Sequence, residues 1–408
     1  MQDTPFGRIP DNWELNTIDN ACEVVTDYVA NGSFKSLAQN VQYQDKEDST
    51  VLIRLVDYNN GFNGNFIYVN NHAYEFLAKS KLFGGEIIIS NVGANVGTVF
   101  RCPYLKKQMT LGPNSVMLKF KQNDNFYFYW LKSPAGQHML QSIVTGSAQP
   151  KFNKTNLRQV LIPVPSKEEQ RKIADILQVL DNKIENNNQI NRNLSEQAKS
   201  VYMEIFENFE KTKVLEDYPV KIYSGGTPST SKKEYWEGGD IHWLSSGETA
   251  NEFVITTDKT ITQLGVDNSS TKWASKYDVV TASAGQGHTR GQTTMILLDT
   301  CINQSVIVTH AAKEYMPFIF FNLSGRYEEL RVLSDGTSTR GSLTTKIMAK
   351  LKMPDITKNE ITRFSDYAWP IISQIEVNLK ENEKLACLRD SLLPKLISGE
   401  LDVSDLDI

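Results

Sequence analysis

Few residues of this 408-residue chain stand at spacings that carry catalytic chemistry. A phosphate-cradling G-x-x-x-x-G-K-[ST] loop is absent, and so are the N-P-P-[FY] and D-P-P-Y runs that serve amino-methylation. Gly285-Gln-Gly287-His-Thr-Arg-Gly291 does not match the dinucleotide fingerprint and reads as a structural glycine loop between strands. Pro354-Asp355 and Asp181-Asn-Lys183 have the residue types of a nuclease site, but in reversed order, with the second piece inside a helical pattern. His72, His138, His242, His288 and His310 lack metal-ligand spacing, and no metal site is expected. Cys22, Cys102, Cys301 and Cys387 form no C-x-x-C pair. Nothing favours a Ser/His/Asp triad. What is left is polar recognition. Residues 77–160 hold eleven Lys/Arg against two acids, Glu86 and Asp124. Such a concentration suits a phosphate-facing surface, and equally a solvated lysine-rich face.

The elements that must position these residues follow from pattern. With 40% hydrophobic and 22% charged residues and a net charge of -5, the composition is that of a globular chain of two or three domains. No run approaches about 18 apolar residues, so no membrane span is predicted. The start, Met1-Gln-Asp-Thr-Pro, lacks a basic then apolar leader, and a cytoplasmic protein with reduced thiols is expected. The chain also repeats itself. Glu86-Ile-Ile-Ile-Ser-Asn-Val-Gly resembles Asp278-Val-Val-Thr-Ala-Ser-Ala-Gly, and Asn114-Ser-Val-Met matches Gln304-Ser-Val-Ile. Phe128-Tyr-Trp-Leu matches Phe320-Phe-Asn-Leu, and Gly146-Ser-Ala-Gln matches Gly336-Thr-Ser-Thr. The offsets are 190 or 192 throughout, so two copies of one unit are predicted. Short β-branched runs between Gly, Asn and Ser clusters read as strands, and Asn125–Leu131 and Met316–Leu323 as strands or short helices.

Each copy ends in a long helix whose start is a capping box, Ser166-Lys-Glu-Glu169 and Thr357-Lys-Asn-Glu360. The narrow apolar seam runs through Ile173, Ile176, Leu180, Ile184, Leu194, Ala198, Val201 and Ile205 in the first. In the second it runs through Ile361, Phe364, Ala368, Ile371, Ile375, Leu385, Leu388, Leu392 and Leu396. A coiled-coil pairing of two helices about 60 Å long is predicted. Pro370 is expected to kink or interrupt the second. Asn187 and Asn378 lie near the two midpoints. An antiparallel pairing about those midpoints would bring them together and set the register.

At this point the residues resemble the specificity subunit of type I restriction–modification enzymes. The likeness covers nearly the whole chain. It rests on Ile9-Pro-Asp-Asn-Trp13, Leu157-Arg-Gln-Val-Leu-Ile-Pro-Val-Pro-Ser-Lys-Glu-Glu-Gln-Arg-Lys-Ile and Leu180-Asp-Asn-Lys-Ile. In the second copy it rests on Ser224-Gly-Gly-Thr-Pro-Ser, Ile241-His-Trp-Leu-Ser-Ser-Gly and Leu388-Arg-Asp-Ser-Leu-Leu-Pro-Lys-Leu-Ile-Ser-Gly-Glu-Leu. Met353-Pro354 and Pro370 depart from the pattern. The resemblance implies an α+β chain with two repeated mixed α/β target-recognition domains, 1–160 and 211–356. The long helices, 161–210 and 357–408 with its tail, would separate them and pair as an antiparallel coiled coil. Each domain would read one half of a split double-stranded DNA target, with about 34–36 Å between half-sites. The implied partners are two modification subunits and two restriction subunits, with no membrane. S-adenosylmethionine, ATP and Mg2+ would sit on those partners, and this chain would be non-catalytic with no cofactor. Two other readings stay open: a two-domain scaffold that binds protein, and a specificity subunit of a methyltransferase without a restriction partner.

Arg and Lys read guanine, Asn and Gln read adenine, and Ser and Thr hold phosphates. Polar side chains on glycine-rich loops are therefore the DNA candidates: Arg54, Asn91, Asn95, Arg101, Gln149 and Lys151 in the first domain. In the second they are Ser246, Gln286, His288, Arg290, Thr339 and Arg340. Leu177, Ile190, Ile372 and Leu379, off the main seam, are candidates for docking the modification subunits. Arg290→Ala is predicted to weaken binding mainly at one half-site. An equal loss on unrelated DNA would assign Arg290 to a phosphate instead.

Overall fold

The computed structural model describes residues 1–285, 287–335, 341–404 and 406. The chain forms two compact units, one of Met1–Lys183 with Leu385–Ile408 and one of Ile184–Lys384. Both divisions fall inside the long helices, so each unit owns a piece of each helix.

At the heart of the first unit is the strand Ile87–Ser90, buried at all four positions. A strand with both faces apolar needs cover on both. Its sheet runs in the order Cys22–Asp27, Ser115–Phe120, Ile87–Ser90, Val99–Arg101, antiparallel throughout. Ile87 and Ile89 join a core with Phe126, Trp130 and Leu140 from the helices Asp124–Lys132 and Pro134–Ser142. Ile88 belongs to a separate core with Val51, Ile53, Met109 and Leu111. Those four come from a second sheet, ordered Ile67–Val69, Thr50–Ile53, Gln108–Leu111, Lys81–Leu82, whose middle pair is parallel. The result is three layers: helices, sheet, sheet.

The second unit repeats this topology. Its central sheet runs Val220–Ser224, Val306–Ala311, Val279–Ala282, Thr293–Ile296, with an added edge strand Phe253–Val254. Its other sheet runs Lys259–Ile261, Ile241–Leu244, Thr300–Ile302, Lys272–Ala274, again with a parallel middle pair. Val279 packs in the helix-side core and Val280 in the sheet-side core. The two segments that periodicity leaves ambiguous are helices, Asp124–Lys132 and Met316–Ser324.

The long helices are Lys167–Phe206 and Lys358–Ile397, 40 residues each. Both capping boxes form. The Ser166 N–H donates to Glu169 Oε2 at 3.0 Å, and the Glu169 N–H returns to Ser166 Oγ at 3.2 Å. At the second start, the Thr357 N–H donates to Glu360 Oε2 at 2.8 Å and the Glu360 N–H to Thr357 Oγ1 at 3.4 Å. Contrary to the sequence expectation, Pro370 does not interrupt its helix. The missing donor would have served Asp366, and both residues are exposed, so water can satisfy that carbonyl.

The helices pair antiparallel, but not about their midpoints. In the second unit, Asn187 Nδ2 donates to Asn382 Oδ1 at 2.9 Å and Asn378 Nδ2 to Asn191 Oδ1 at 2.7 Å. Asn187 and Asn378 thus lie one turn out of register, each bonded to the neighbour of the residue it was expected to meet. In the first unit the matching contact is Arg389 Nη1 to Asp181 Oδ1 at 2.7 Å. Leu177 and Ile372, expected to be free for partners, are fully buried in the two unit cores. They face inward because each helix packs against its own domain as well as against the other helix, which widens the apolar stripe beyond one seam. Leu379 is half-buried, Ile190 is exposed, and the seam residues Ile205 and Leu388 turn out to solvent.

In the first unit the two chain ends close on each other. Trp13 Nε1 donates to Glu169 Oε1 at 3.0 Å. Gly399, at φ +68°, lies so close that a Cβ would sit 2.4 Å from Pro10 Cγ.

Glu376 of the second helix carries a testable ionic contact. Burial raises its pKa, but bonds from Lys276 and Lys380, each 2.6 Å, outweigh burial and hold the carboxyl below its ordinary value. A depressed carboxylate contributes stability above its unfolded pKa of about 4.3, and that stability is lost as pH falls through the folded value. Glu376→Gln is predicted to cost about 1–2 kcal/mol at pH 7. In urea titrations the gap to wild type should narrow as pH falls below the unfolded value of about 4.3 and close only below the depressed folded value. A gap that persists there would show that packing, not charge, is what Gln disturbs.

Candidate nucleic-acid interface

The central strand of the first unit ends at Ser90, and the next seven residues form a loop closed by the Gly97 N–H donating to Ser90 O at 2.8 Å. Gly93 (φ +101°) and Gly97 (φ +91°) make this turn possible, in backbone regions that residues with a Cβ rarely adopt. A second loop lies against it. Thr145 and Lys151 exchange backbone hydrogen bonds of 2.8 and 2.9 Å around Gly146. The Gly93 N–H donates to Pro150 O at 2.9 Å, and the Phe152 N–H to Asn91 O at 3.1 Å. Gln137 and Gln141, from the second short helix, hold the Gly97 and Val96 carbonyls at 3.1 and 3.2 Å.

Four candidates are gathered on this stiff pair of loops. Asn95, Gln149 and Lys151 are exposed, while Asn91 is half-buried and donates to Phe152 O at 3.3 Å. Arg54 lies close by, since a Cβ on Gly112 would meet Arg54 Cγ at 2.9 Å and Asn114 O accepts from the Asn91 N–H at 3.0 Å. Its guanidinium is bidentate to Asp57, at 2.7 and 3.1 Å. Arg101 is elsewhere. It pairs with Ile87, at the opposite end of the central strand from the loops. It donates to Gly85 O and Asn125 Oδ1, both at 2.6 Å, and lies 4.5 Å from the Phe128 ring centroid. Burial there lowers its pKa, and nearby Asp124 opposes that.

Among its described residues the second unit repeats two of these bonds. The Gly291 N–H donates to Ala282 O at 2.9 Å, and the Leu343 N–H to Ser283 O at 2.9 Å. The helix Tyr327–Asp335 braces the longer glycine loop: Tyr327 OH donates to His288 O at 2.9 Å and Arg331 to Gly287 O. His288 is exposed. Arg290 is 12% exposed, ion-paired with Asp335, and lies against Gly341. Ser246 opens the 3-10 turn Ser246–Ala250 and accepts from Thr249 Oγ1 through its carbonyl at 2.8 Å. Gln286, Thr339 and Arg340 lie outside the described residues.

The basic run 77–160 is not one positive face. Lys81 pairs with Glu75, Lys107 with Glu47, Lys119 with Glu23, Lys154 with Asp27 and Arg158 with Asp19. Acids from the preceding segment thus absorb much of the charge. Sequence reasoning also passed over Asn114, which holds φ +65°, and the exposed aromatic Phe34 beside the loops. An asparagine between Pro113 and Ser115 was the available signal for the first. An apolar residue directly after the Gly32-Ser33 helix cap was the signal for the second.

A family model described as the type I restriction modification DNA specificity domain matches residues 10–196 and 220–355. The type I restriction enzyme MjaIX specificity subunit of Methanocaldococcus jannaschii is 24% identical, over 100% of this chain and 97% of that one. The HindI specificity subunit of Haemophilus influenzae is 22% identical over 62% of this chain and 71% of that one. The crystal structure of an S subunit from M. genitalium superposes with a TM-score of 0.57 at 17% identity, covering 96% and 98% of the two chains.

Loop stiffness and loop chemistry should separate by mutation. Gly97→Ala, forced into a left-handed backbone, is predicted to cost about 1–2 kcal/mol. Asn95→Ala, at an exposed tip, should stay within about 0.5 kcal/mol of wild type in urea denaturation. Equal losses would make Asn95 part of the scaffold.

Proposed function

The chain belongs to the family of type I restriction–modification DNA specificity domains, of which it carries two copies, and on that premise we propose that each copy reads one half of a split DNA target. The observation that carries this reading is the duplicated glycine loop. Two topologically equal units each present, at the same end of a doubly buried strand, a glycine-closed loop bearing an exposed polar side chain, Asn95 in one and His288 in the other. Rigid loops suit base reading, because side chains held in place lose little freedom on binding. The loop sequences differ between copies, Gly146-Ser-Ala-Gln149 in one standing where the other has Gly336-Thr-Ser-Thr339, so the two half-sites should differ in sequence. Lys151 would contact phosphate or guanine, and Asn95 and Gln149 adenine.

The long helices would set the gap between half-sites and dock two modification subunits. Each unit has exposed apolar helix residues for that purpose: Val179 and Leu388 in the first, Ile190 and Val377 in the second. The S-adenosylmethionine, ATP and Mg2+ chemistry would belong to modification and restriction partners, with this chain supplying the address.

The test is selection from a random double-stranded DNA library at moderate salt. The purified chain is used alone and with a co-expressed adenine methyltransferase subunit. Enrichment of a two-part motif with a fixed gap is the expected outcome. No enrichment in either arm would sink the DNA reading and favour a protein-binding scaffold.

A further inference from the structure

A cleft of about 490 Å³ opens in the first unit directly beside the loop pair. Its walls are Val29, Phe34, Leu37 and Tyr43 on one side and Asn91 and Asn114 on the other. Phe34 is 81% exposed, Val29 44% and Tyr43 51%. Leaving an aromatic ring and a valine open to water forgoes roughly 25 cal/mol for each Å² that a partner could cover. Asn91 Oδ1 is buried beside the same cleft and has no hydrogen-bond partner. A cleft that combines exposed apolar groups with an acceptor left unpartnered beneath its wall, next to loops tipped with amides, fits a ligand edge that is both polar and methylated.

We propose that the Phe34–Val29 side of this cleft packs on the C5-methyl group of a thymine in the half-site read by the first unit. The inference rests on the DNA reading above. The thymine methyl is the apolar group that the major groove displays among its donors and acceptors, and an A·T pair sets beside it an adenine amino group that donates. Arginine and lysine side chains, which read guanine, are not what the cleft offers. Of the nearby basic residues, Lys154 is held by Asp27 at 2.9 Å and Arg54 by Asp57, and the exposed Lys151 sits on the adjoining loop outside the cleft lining.

Among the described residues, the segment of the second unit that corresponds to Tyr28 and Val29 is built differently. After the strand Val220–Ser224 come Gly225 and Gly226, where the first unit has Tyr28 and Val29. A Cβ on Gly225 would lie 2.1 Å from Ile302 O, and one on Gly226 would lie 2.0 Å from Ser270 Oγ. The backbone there is pressed onto the strand Thr300–Ile302 of the other sheet and onto Ser270, and Thr227 bonds to Gln304. The proposed apolar contact therefore belongs to the half-site of the first unit.

The test uses the full chain, with its methyltransferase subunit if binding needs it, on the selected target. Each thymine in turn is replaced by deoxyuracil, which removes only the methyl group. One replacement, in one half-site, should weaken wild-type binding about threefold to tenfold, the value of one buried methyl. Phe34→Ala should bind the thymine and deoxyuracil forms of that position equally, with an unchanged thermal melt because Phe34 is a surface residue. Three results would overturn the proposal: a wild type indifferent to every replacement, a Phe34→Ala protein that still discriminates as wild type does, or a selected target without thymine. Absence of any selected target would instead remove the DNA reading on which the proposal stands.

Discussion

Everything at the recognition end of each unit depends on a strand of four residues that is buried on both faces. Ile87–Ser90 and Val279–Ala282 have no solvent side. Each therefore demands helices on one face and a second sheet on the other, and the three-layer unit follows from that need. The strand also aims the function. It delivers the chain to one edge of the layers, and whatever follows Ser90 or Ala282 is loop. Two glycines at positive φ turn that loop back within hydrogen-bonding distance of its own start, while a second loop is stitched to it through backbone bonds. The side chains at the tips are then presented by a scaffold with little freedom left to lose.

Electrostatics plays a smaller part in this arrangement than charge counting suggests. A stretch with nine more basic than acidic residues folds so that five of its cations meet acids contributed by residues 19–75. Arg101 is spent on carbonyls, an amide and an aromatic face inside the unit. The exposed cation left on the loop pair is Lys151, flanked by amides and, across the cleft, by apolar groups.

The long helices show how a polar seam chooses a register. Asn187 with Asn382 and Asn191 with Asn378 are two rungs of one antiparallel ladder, and Asn188 adds a bond to Asn382 at 2.8 Å. Sliding the second unit's helices by one turn would break all three bonds, and even a slide that set Asn187 against Asn378 would take Asn191 and Asn382 from these partners, at about 1–3 kcal/mol for each buried amide left unpaired. Apolar residues alone would not impose this, since leucine and isoleucine tolerate a slide that preserves their stripe.

Short-range chemistry determined much of what the residues by themselves disclose. The capping boxes at Ser166 and Thr357, the duplication at a near-constant offset, the two long helices and the glycine loops all depend on neighbours a few positions apart. The α+β architecture follows from them. The family membership was legible for a similar reason, because its motifs are contiguous runs. Tertiary structure decided the rest, since each remaining feature is a contact between distant positions. It buried Leu177 and Ile372 because each helix packs on its domain as well as on its partner. It shifted Asn187 and Asn378 one turn apart, because the domains as well as the seam constrain where the helices lie. It neutralised the basic run with acids from an earlier segment, and it placed Phe34 beside Asn91, 57 residues further along the chain. A linear pattern records which side of an element is apolar. It does not record what that side meets, and the meeting is what separates a core residue from a reading one.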